Sequence, residues 1–73
     1  MRSYLTLWFN SEGARPSEVT DRLSGMGFRT MKGNYDYVYD WQKKATRDEA
    51  VMLAEKVHST LKGCSITFKL ETD

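Results

Sequence analysis

The sequence predicts one small α+β domain whose elements follow the order strand, helix, strand, strand, helix, strand. Three observations predict this class. Apolar and polar residues alternate near both ends of the chain, as in half-buried strands, and apolar residues recur at helical spacing in two internal segments. A Gly-Asn pair also separates two further runs of strand-forming residues. With 73 residues the chain has room for one core, so the domain spans residues 1–73.

Alternation and a proline predict the first strand and the first helix. Residues 2–9 alternate and place Tyr4, Thr6 and Trp8 on one face of the strand. Pro16 suits the first position of a helix, because the N–H that proline lacks would have no partner there. The apolar stripe of this helix consists of Val19, Leu23 and Met26. Gly25 or Gly27 then supplies the left-handed residue that ends it.

A tight hairpin is predicted next, and its register decides which side chains face the helices. Strands at residues 28–32 and 35–41 flank Gly33 and Asn34, and a two-residue turn there places Thr30 opposite Tyr37. Residues opposite each other share a face, so one face carries Phe28, Tyr37, Tyr39 and Trp41. The other carries Arg29, Met31, Asp36, Val38 and Asp40. Burying unpaired carboxylates costs more than burying tyrosines, so we expect the aromatic face to lie under the helices.

A capping box predicts the start of the second helix. Thr46 and Glu49 have the spacing at which each side chain accepts a hydrogen bond from the other residue's backbone N–H. The apolar stripe of this helix consists of Ala50, Leu53, Val57 and Leu61. Lys62 and Gly63 are typical of a helix end, because a cation suits the negative pole and glycine accepts a left-handed backbone. Residues 65–70 alternate again and form the last strand.

This order of elements resembles the ferredoxin-like fold. The resemblance covers the whole chain and is one of topology. It implies a βαββαβ sandwich, with a four-stranded antiparallel sheet and two helices on one face. The fold hosts acylphosphatases, RNA-recognition motifs, ligand-sensing ACT domains and metallochaperones, so it does not specify a function. The function has to be argued from the residues of this chain.

The residue types argue against catalysis and against a bound metal. Cys64 and His58 are the only cysteine and the only histidine, which is too few for a zinc cluster or a nucleophile–base pair. Asp36 and Asp40 lie about 13 Å apart on an extended strand, which is too wide for a glycosidase pair. We therefore expect no enzyme activity, no cofactor and no metal. The unpaired thiol and the lack of a long apolar run predict a cytoplasmic protein without a membrane segment.

The uncovered sheet face is the main predicted interaction surface. It consists of Tyr4, Thr6, Trp8, Arg29, Met31, Asp36, Val38 and Asp40. Apolar residues among charges are typical of an association surface. A chain of this size also gains stability from a partner. We therefore expect the face to bind a protein partner or a second copy in a homodimer.

Two other groups of residues predict alternative functions. The basic residues Lys43, Lys44 and Arg47, together with exposed aromatic side chains, indicate nucleic-acid binding. The net charge of +1 and the two acidic residues on the sheet face argue against it. Gly13 and Arg15 in the first loop, together with Ser17 in the first turn of the following helix, are possible contacts for an anion such as phosphate, which a helix start favours. That loop lacks the glycine–valine–glutamine pattern of the acylphosphatases.

Overall fold

The predicted order of elements is confirmed in the computed structural model, which describes residues 1–73. The elements are β1 (Arg2–Phe9), α1 (Pro16–Gly25), β2 (Arg29–Thr30), β3 (Tyr37–Asp40), α2 (Arg47–Leu61) and β4 (Ile66–Thr72). All neighbouring strands are antiparallel, and the four strands form one sheet in the order β2-β3-β1-β4. The chain is therefore a small α+β domain with two central strands, β3 and β1, and two edge strands, β2 and β4.

Both helices begin and end where the sequence signals predict. Pro16 occupies the first turn of α1, and Gly27 has a left-handed φ of 103° just after the helix. In α2 the capping box is complete: the Thr46 hydroxyl accepts from the Glu49 N–H at 3.1 Å, and the Glu49 carboxylate accepts from the Thr46 N–H at 3.0 Å. Gly63, with a φ of 83°, follows the last turn. These local signals determine where the connections from α1 to β2 and from α2 to β4 begin.

The core lies between one sheet face and the two helices. It consists of Leu5, Leu7, Val19, Leu23, Phe28, Tyr37, Leu53, Val57 and Leu61. Tyr39 and Trp41 are half-buried against this core, so the predicted burial of the aromatic face is confirmed. Their rings pack edge to face, with centroids 5.0 Å apart. The Trp41 indole N–H donates to the Ser3 hydroxyl at 2.8 Å, which satisfies its one polar group.

The hairpin keeps the predicted register but not the predicted turn. Thr30 lies opposite Tyr37, as expected. The strands are shorter than predicted, however, and a loop of residues 31–36 replaces the two-residue turn at Gly33 and Asn34. The cause lies outside the hairpin, because Asp36 hydrogen-bonds to β1 and the Tyr35 ring packs on the far side of the sheet. These tertiary contacts compete with the two-residue turn, while the Met31 N–H still donates to the Asp36 carbonyl at 3.1 Å.

Candidate functional site

The sheet face opposite the helices is open, and the strand register determines which residues share it. One row crosses all four strands, from Arg29 on β2 through Val38 and Tyr4 to Glu71 on β4. Further along β1, the next two rows pair β1 with β4: Thr6 lies opposite Lys69, and Trp8 lies opposite Thr67. At the start of β1, Arg2 lies opposite Asp40, two residues from this row and on the same face. We call this surface the outer face; it comprises Arg2, Tyr4, Thr6, Trp8, Arg29, Val38, Asp40, Thr67, Lys69 and Glu71. It combines aromatic, aliphatic and charged side chains.

Tyr35 reaches across the outer face from the loop between β2 and β3. Its ring stacks on the ring of Tyr4, with centroids 4.8 Å apart and planes inclined by 26°. Its hydroxyl donates to the Glu71 carboxylate at 2.6 Å. Glu71 also pairs with the Lys69 ammonium at 2.7 Å. Tyr35 thus ties the loop to β1 and to the edge strand β4.

The contacts around Glu71 shift three pKa values. The hydrogen bonds from Lys69 and then from Tyr35 hold the pKa of the Glu71 carboxyl below its usual value. The same bonds raise the pKa of the Tyr35 hydroxyl and of the Lys69 ammonium, because each donates to the carboxylate. At neutral pH the cluster therefore holds one carboxylate, one ammonium and a neutral phenol. Its charges are balanced within the chain.

The end of β1 carries the most exposed aromatic rings of the sheet. The ladder between β1 and β3 stops at Leu5, whereas the ladder between β1 and β4 continues to Phe9. Trp8 is 54% exposed and Phe9 is 43% exposed. Successive strand residues point to opposite faces, so this end presents one aromatic side chain on each side of the sheet. Trp8 is the one that belongs to the outer face.

Two aspartates predicted on this face bind backbone groups of the chain itself. The Asp36 carboxylate accepts from the Leu7 N–H at 2.8 Å, and the Asp36 N–H donates to the Leu5 carbonyl at 2.9 Å. Asp40 is half-buried and accepts from the Gln42 N–H at 2.9 Å. Met31, also predicted on this face, is half-buried just after β2, and its N–H donates to the Asp36 carbonyl. These residues shape the hairpin.

The first loop uses much of its hydrogen-bonding capacity within the chain. The Gly13 N–H donates to the Asn10 carbonyl at 2.9 Å, and the next N–H donates to the Cys64 carbonyl. Arg15 precedes α1 without a side-chain hydrogen bond, and Ser17 is exposed in its first turn. Glu18 already places a negative charge at that helix start. For an anion, the loop leaves the Arg15 side chain and the N-terminal turn of α1.

The predicted basic group is only partly available to a partner. Lys43 pairs with Glu49, and this hydrogen bond is the main reason that the pKa of the Glu49 carboxyl is lowered. Lys44 and Arg47 are exposed and form no ion pair. The loop is attached to the start of the chain, because the Trp41 N–H donates to the Met1 carbonyl at 3.0 Å. The structure therefore presents two free cations here.

The two side chains considered as metal ligands, His58 and Cys64, have different environments. His58 is exposed on α2, whereas Cys64 is buried and its Sγ lies 3.0 Å from an Arg22 guanidinium nitrogen. No group of three or more His, Cys, Asp or Glu side chains is arranged to hold a metal ion. Neither helix is long and apolar enough to cross a membrane.

Two open grooves lie on the helix side of the sheet. One runs between α2 and β3 and is lined by Tyr39, Trp41, Glu49, Met52, Leu53 and Lys56. The other continues along α2 and is lined by Met26, Met52, Glu55, Lys56, Ser59 and Thr60. Neither contains any of the predicted site residues. The outer face remains the surface on which those residues are brought together.

Sequence reasoning missed two members of the outer-face cluster. Tyr35 is predicted only as the start of the strand at residues 35–41, with no face assigned to it, and the last strand is predicted to end at Leu70, before Glu71. The Lys-Leu-Glu spacing from Lys69 to Glu71 was a usable signal, since residues two apart on a strand share a face. The position of Tyr35 had no local signal.

Comparisons with protein-family models, with curated proteins and with solved structures found no match to this chain.

Proposed function

We propose that the chain is a non-enzymatic interaction module that binds a protein partner through the outer face. The observation that carries the proposal is the exposed Trp8, on a sheet face that no helix covers and that also carries the stacked Tyr4 and Tyr35 rings. Tryptophan and tyrosine are the residues most enriched at the energetic centres of protein interfaces. Charged side chains around them supply the polar rim that such interfaces have.

A protein partner suits this surface better than a nucleic acid does. Proteins that read single-stranded RNA stack bases on free aromatic rings of the sheet. Here Tyr4 and Tyr35 already stack on each other, so Trp8 is the one ring left free on this face. Lys69 is paired with Glu71, and Lys43 is paired as well, which reduces the positive charge available to phosphate groups.

The proposal extends to the fold and to the compartment. A ferredoxin-like arrangement is supported by the sheet order, which reads β4-β1-β3-β2 from the opposite edge. In that order each helix connects two parallel strands that flank one antiparallel strand, and both helices contribute to the same core. A cytoplasmic location is supported by the buried free thiol of Cys64, since reducing compartments preserve such thiols.

The test compares two equally exposed side chains on opposite sides of the molecule. Trp8 on the outer face is 54% exposed, and Met52 on α2 is 56% exposed. Partners are captured from extracts of the source cells on three immobilised proteins: the wild-type chain, Trp8→Ala and Met52→Ala. The affinity of each captured protein for the three is then measured by titration. We expect Trp8→Ala to weaken binding by about 30-fold, the loss typical of an interface tryptophan, and Met52→Ala to leave it unchanged.

Two results would contradict the proposal. A partner that binds Trp8→Ala as well as the wild type would show that the outer face is not the binding surface. Salt-sensitive retention on single-stranded RNA or DNA, abolished by Lys44→Ala and Arg47→Ala, would instead favour the nucleic-acid alternative. Both results are read with the same purified proteins, and circular dichroism confirms that each variant keeps its secondary structure.

A further inference from the structure

The edge strand β4 has an unpaired side that is long enough to bind another strand. β4 has seven residues and pairs only with β1. At the end of this ladder the Asp73 N–H donates to the Arg2 carbonyl at 3.2 Å, so Asp73 points its backbone groups toward β1. Backbone groups alternate in direction along an antiparallel strand. Those of Phe68, Leu70 and Thr72 therefore point away from the sheet, where a second strand can bind them.

The charges of β4 match those of a second, antiparallel β4 in one register. Residues directly opposite each other must share a face, so a two-fold pair of identical strands centres on one residue. With Leu70 at the centre, Lys69 of each copy lies opposite Glu71 of the other. Centring on Lys69 or on Glu71 instead places like charges directly opposite each other. Among the registers centred on a residue of β4, the Leu70-centred one is the register that places opposite charges directly opposite each other.

The geometry of a strand pair allows these ion pairs to form. Lys69 now reaches Glu71 along its own strand, a Cα separation of about 6.6 Å at the usual strand rise. Directly opposite residues in an antiparallel pair have Cβ atoms about 4.5–5.5 Å apart. The ammonium of one copy can therefore reach the carboxylate of the other at least as easily as its own. Glu71 remains able to accept from Tyr35, because a carboxylate has two oxygens.

The apolar side of β4 is incompletely covered in a single copy. Leu5 and Leu7 on β1 are 0% and 7% exposed, whereas Ile66, Phe68 and Leu70 on β4 are only half-buried. In the Leu70-centred register each Leu70 lies opposite the other, and each Phe68 lies opposite a Thr72. The second strand would remove part of this apolar surface from water, which favours association.

We propose that β4 pairs with β4 of a second copy of this chain, antiparallel and centred on Leu70, to form a continuous eight-stranded sheet. Three backbone N–H groups of each copy, those of Phe68, Leu70 and Thr72, donate across the seam. The helices of both copies lie on the same side of this sheet, and the outer faces join. The pairing uses the backbone edge of β4 and shares only Lys69 and Glu71 with the outer face, so it does not involve Trp8 and does not depend on a protein partner bound there.

Opposite charge changes test the register directly. Lys69→Glu places two acidic pairs across the seam, and Glu71→Lys places two basic pairs there. We expect each variant alone to dimerise at least about tenfold more weakly than the wild type, since both ion pairs become repulsive. An equimolar mixture of the two variants restores both pairs, because the doubly acidic edge lies opposite the doubly basic one. Sedimentation velocity across a concentration series measures all three.

Amide exchange gives a second readout that requires no mutation. In wild-type chain, exchange of the Phe68, Leu70 and Thr72 amides is expected to slow as the concentration rises, while the Lys69 amide stays unchanged. Wild-type chain that stays monomeric at millimolar concentration would overturn the proposal. So would a dimer whose protection maps to other amides, or a variant mixture that fails to restore association. Trp8→Ala is expected to leave dimerisation unchanged, which separates this proposal from that of the outer face.

Discussion

Replacing Asp36 tests whether this carboxylate stabilises the fold or is available to bind a partner. Its Oδ2 accepts from the Leu7 N–H at 2.8 Å, at the point where β3 stops and β1 continues. Leu7 is only 7% exposed, so water replaces the lost acceptor poorly. A hydrogen bond to a charged group contributes about 1.5–3 kcal/mol to stability. The exposure of Asp36 itself places the expected loss at the lower end, so we expect Asp36→Ala to cost about 1.5 kcal/mol.

Urea unfolding followed by circular dichroism measures this loss, and Asp36→Asn is the matched control. Asparagine keeps an acceptor oxygen but removes the charge, so we expect it to cost about half as much as alanine, near 0.7 kcal/mol. Exchange of the Leu7 amide should accelerate in Asp36→Ala, because that amide loses its acceptor. If Asp36→Ala keeps the wild-type stability and the wild-type exchange of Leu7, the structural role assigned to this carboxylate is wrong.

Three further predictions follow from the core, a helix cap and the charge cluster. Leu5→Ala removes a fully buried side chain of the central strand β1 and should cost about 3 kcal/mol, measured as a lower urea midpoint with an unchanged slope. Thr46→Ala breaks the capping box with Glu49 and should cost about 1 kcal/mol, whereas Thr46→Ser should keep the wild-type stability. Because the folded-state pKa of Glu71 is depressed, its contribution is present above the unfolded pKa near 4.5 and is lost as pH falls through the folded pKa. Glu71→Gln should therefore flatten the loss of stability in acid, and an equally steep loss in this variant would contradict the assignment.

Local signals were sufficient to predict most of the fold. The helix starts at Pro16 and Thr46 depend on groups within one turn of the chain, so their spacing in the sequence carries the information. The inward direction of Tyr37 and Tyr39 followed from one energetic comparison, between burying carboxylates and burying tyrosines. The hairpin register could be predicted because Thr30 and Tyr37 are close in sequence.

The parts that sequence reasoning missed depend on residues far apart in the chain. The Leu7 N–H that binds Asp36 lies 29 residues away, and the Glu71 carboxylate that binds Tyr35 lies 36 residues away. No short-range rule connects such residues. The Gly33-Asn34 pair therefore predicts a two-residue turn, although the distant contacts of Tyr35 and Asp36 favour a longer loop. Most residues of the outer face were predicted. The contact between Tyr35 and Glu71, which holds the loop of residues 31–36 against this face, was not predicted.

The two edges of the sheet differ greatly in length, and this difference limits how far strand pairing can propagate. β2 has two residues and β4 has seven. A chain with two long free edges can add copies at both ends and grow into a fibre, whereas a two-fold contact at one edge uses up that edge in both copies. With β2 too short to template a further strand, the proposed pairing through β4 would end at two chains. The short β2 thus leaves the sheet without a second long edge to which further strands could add.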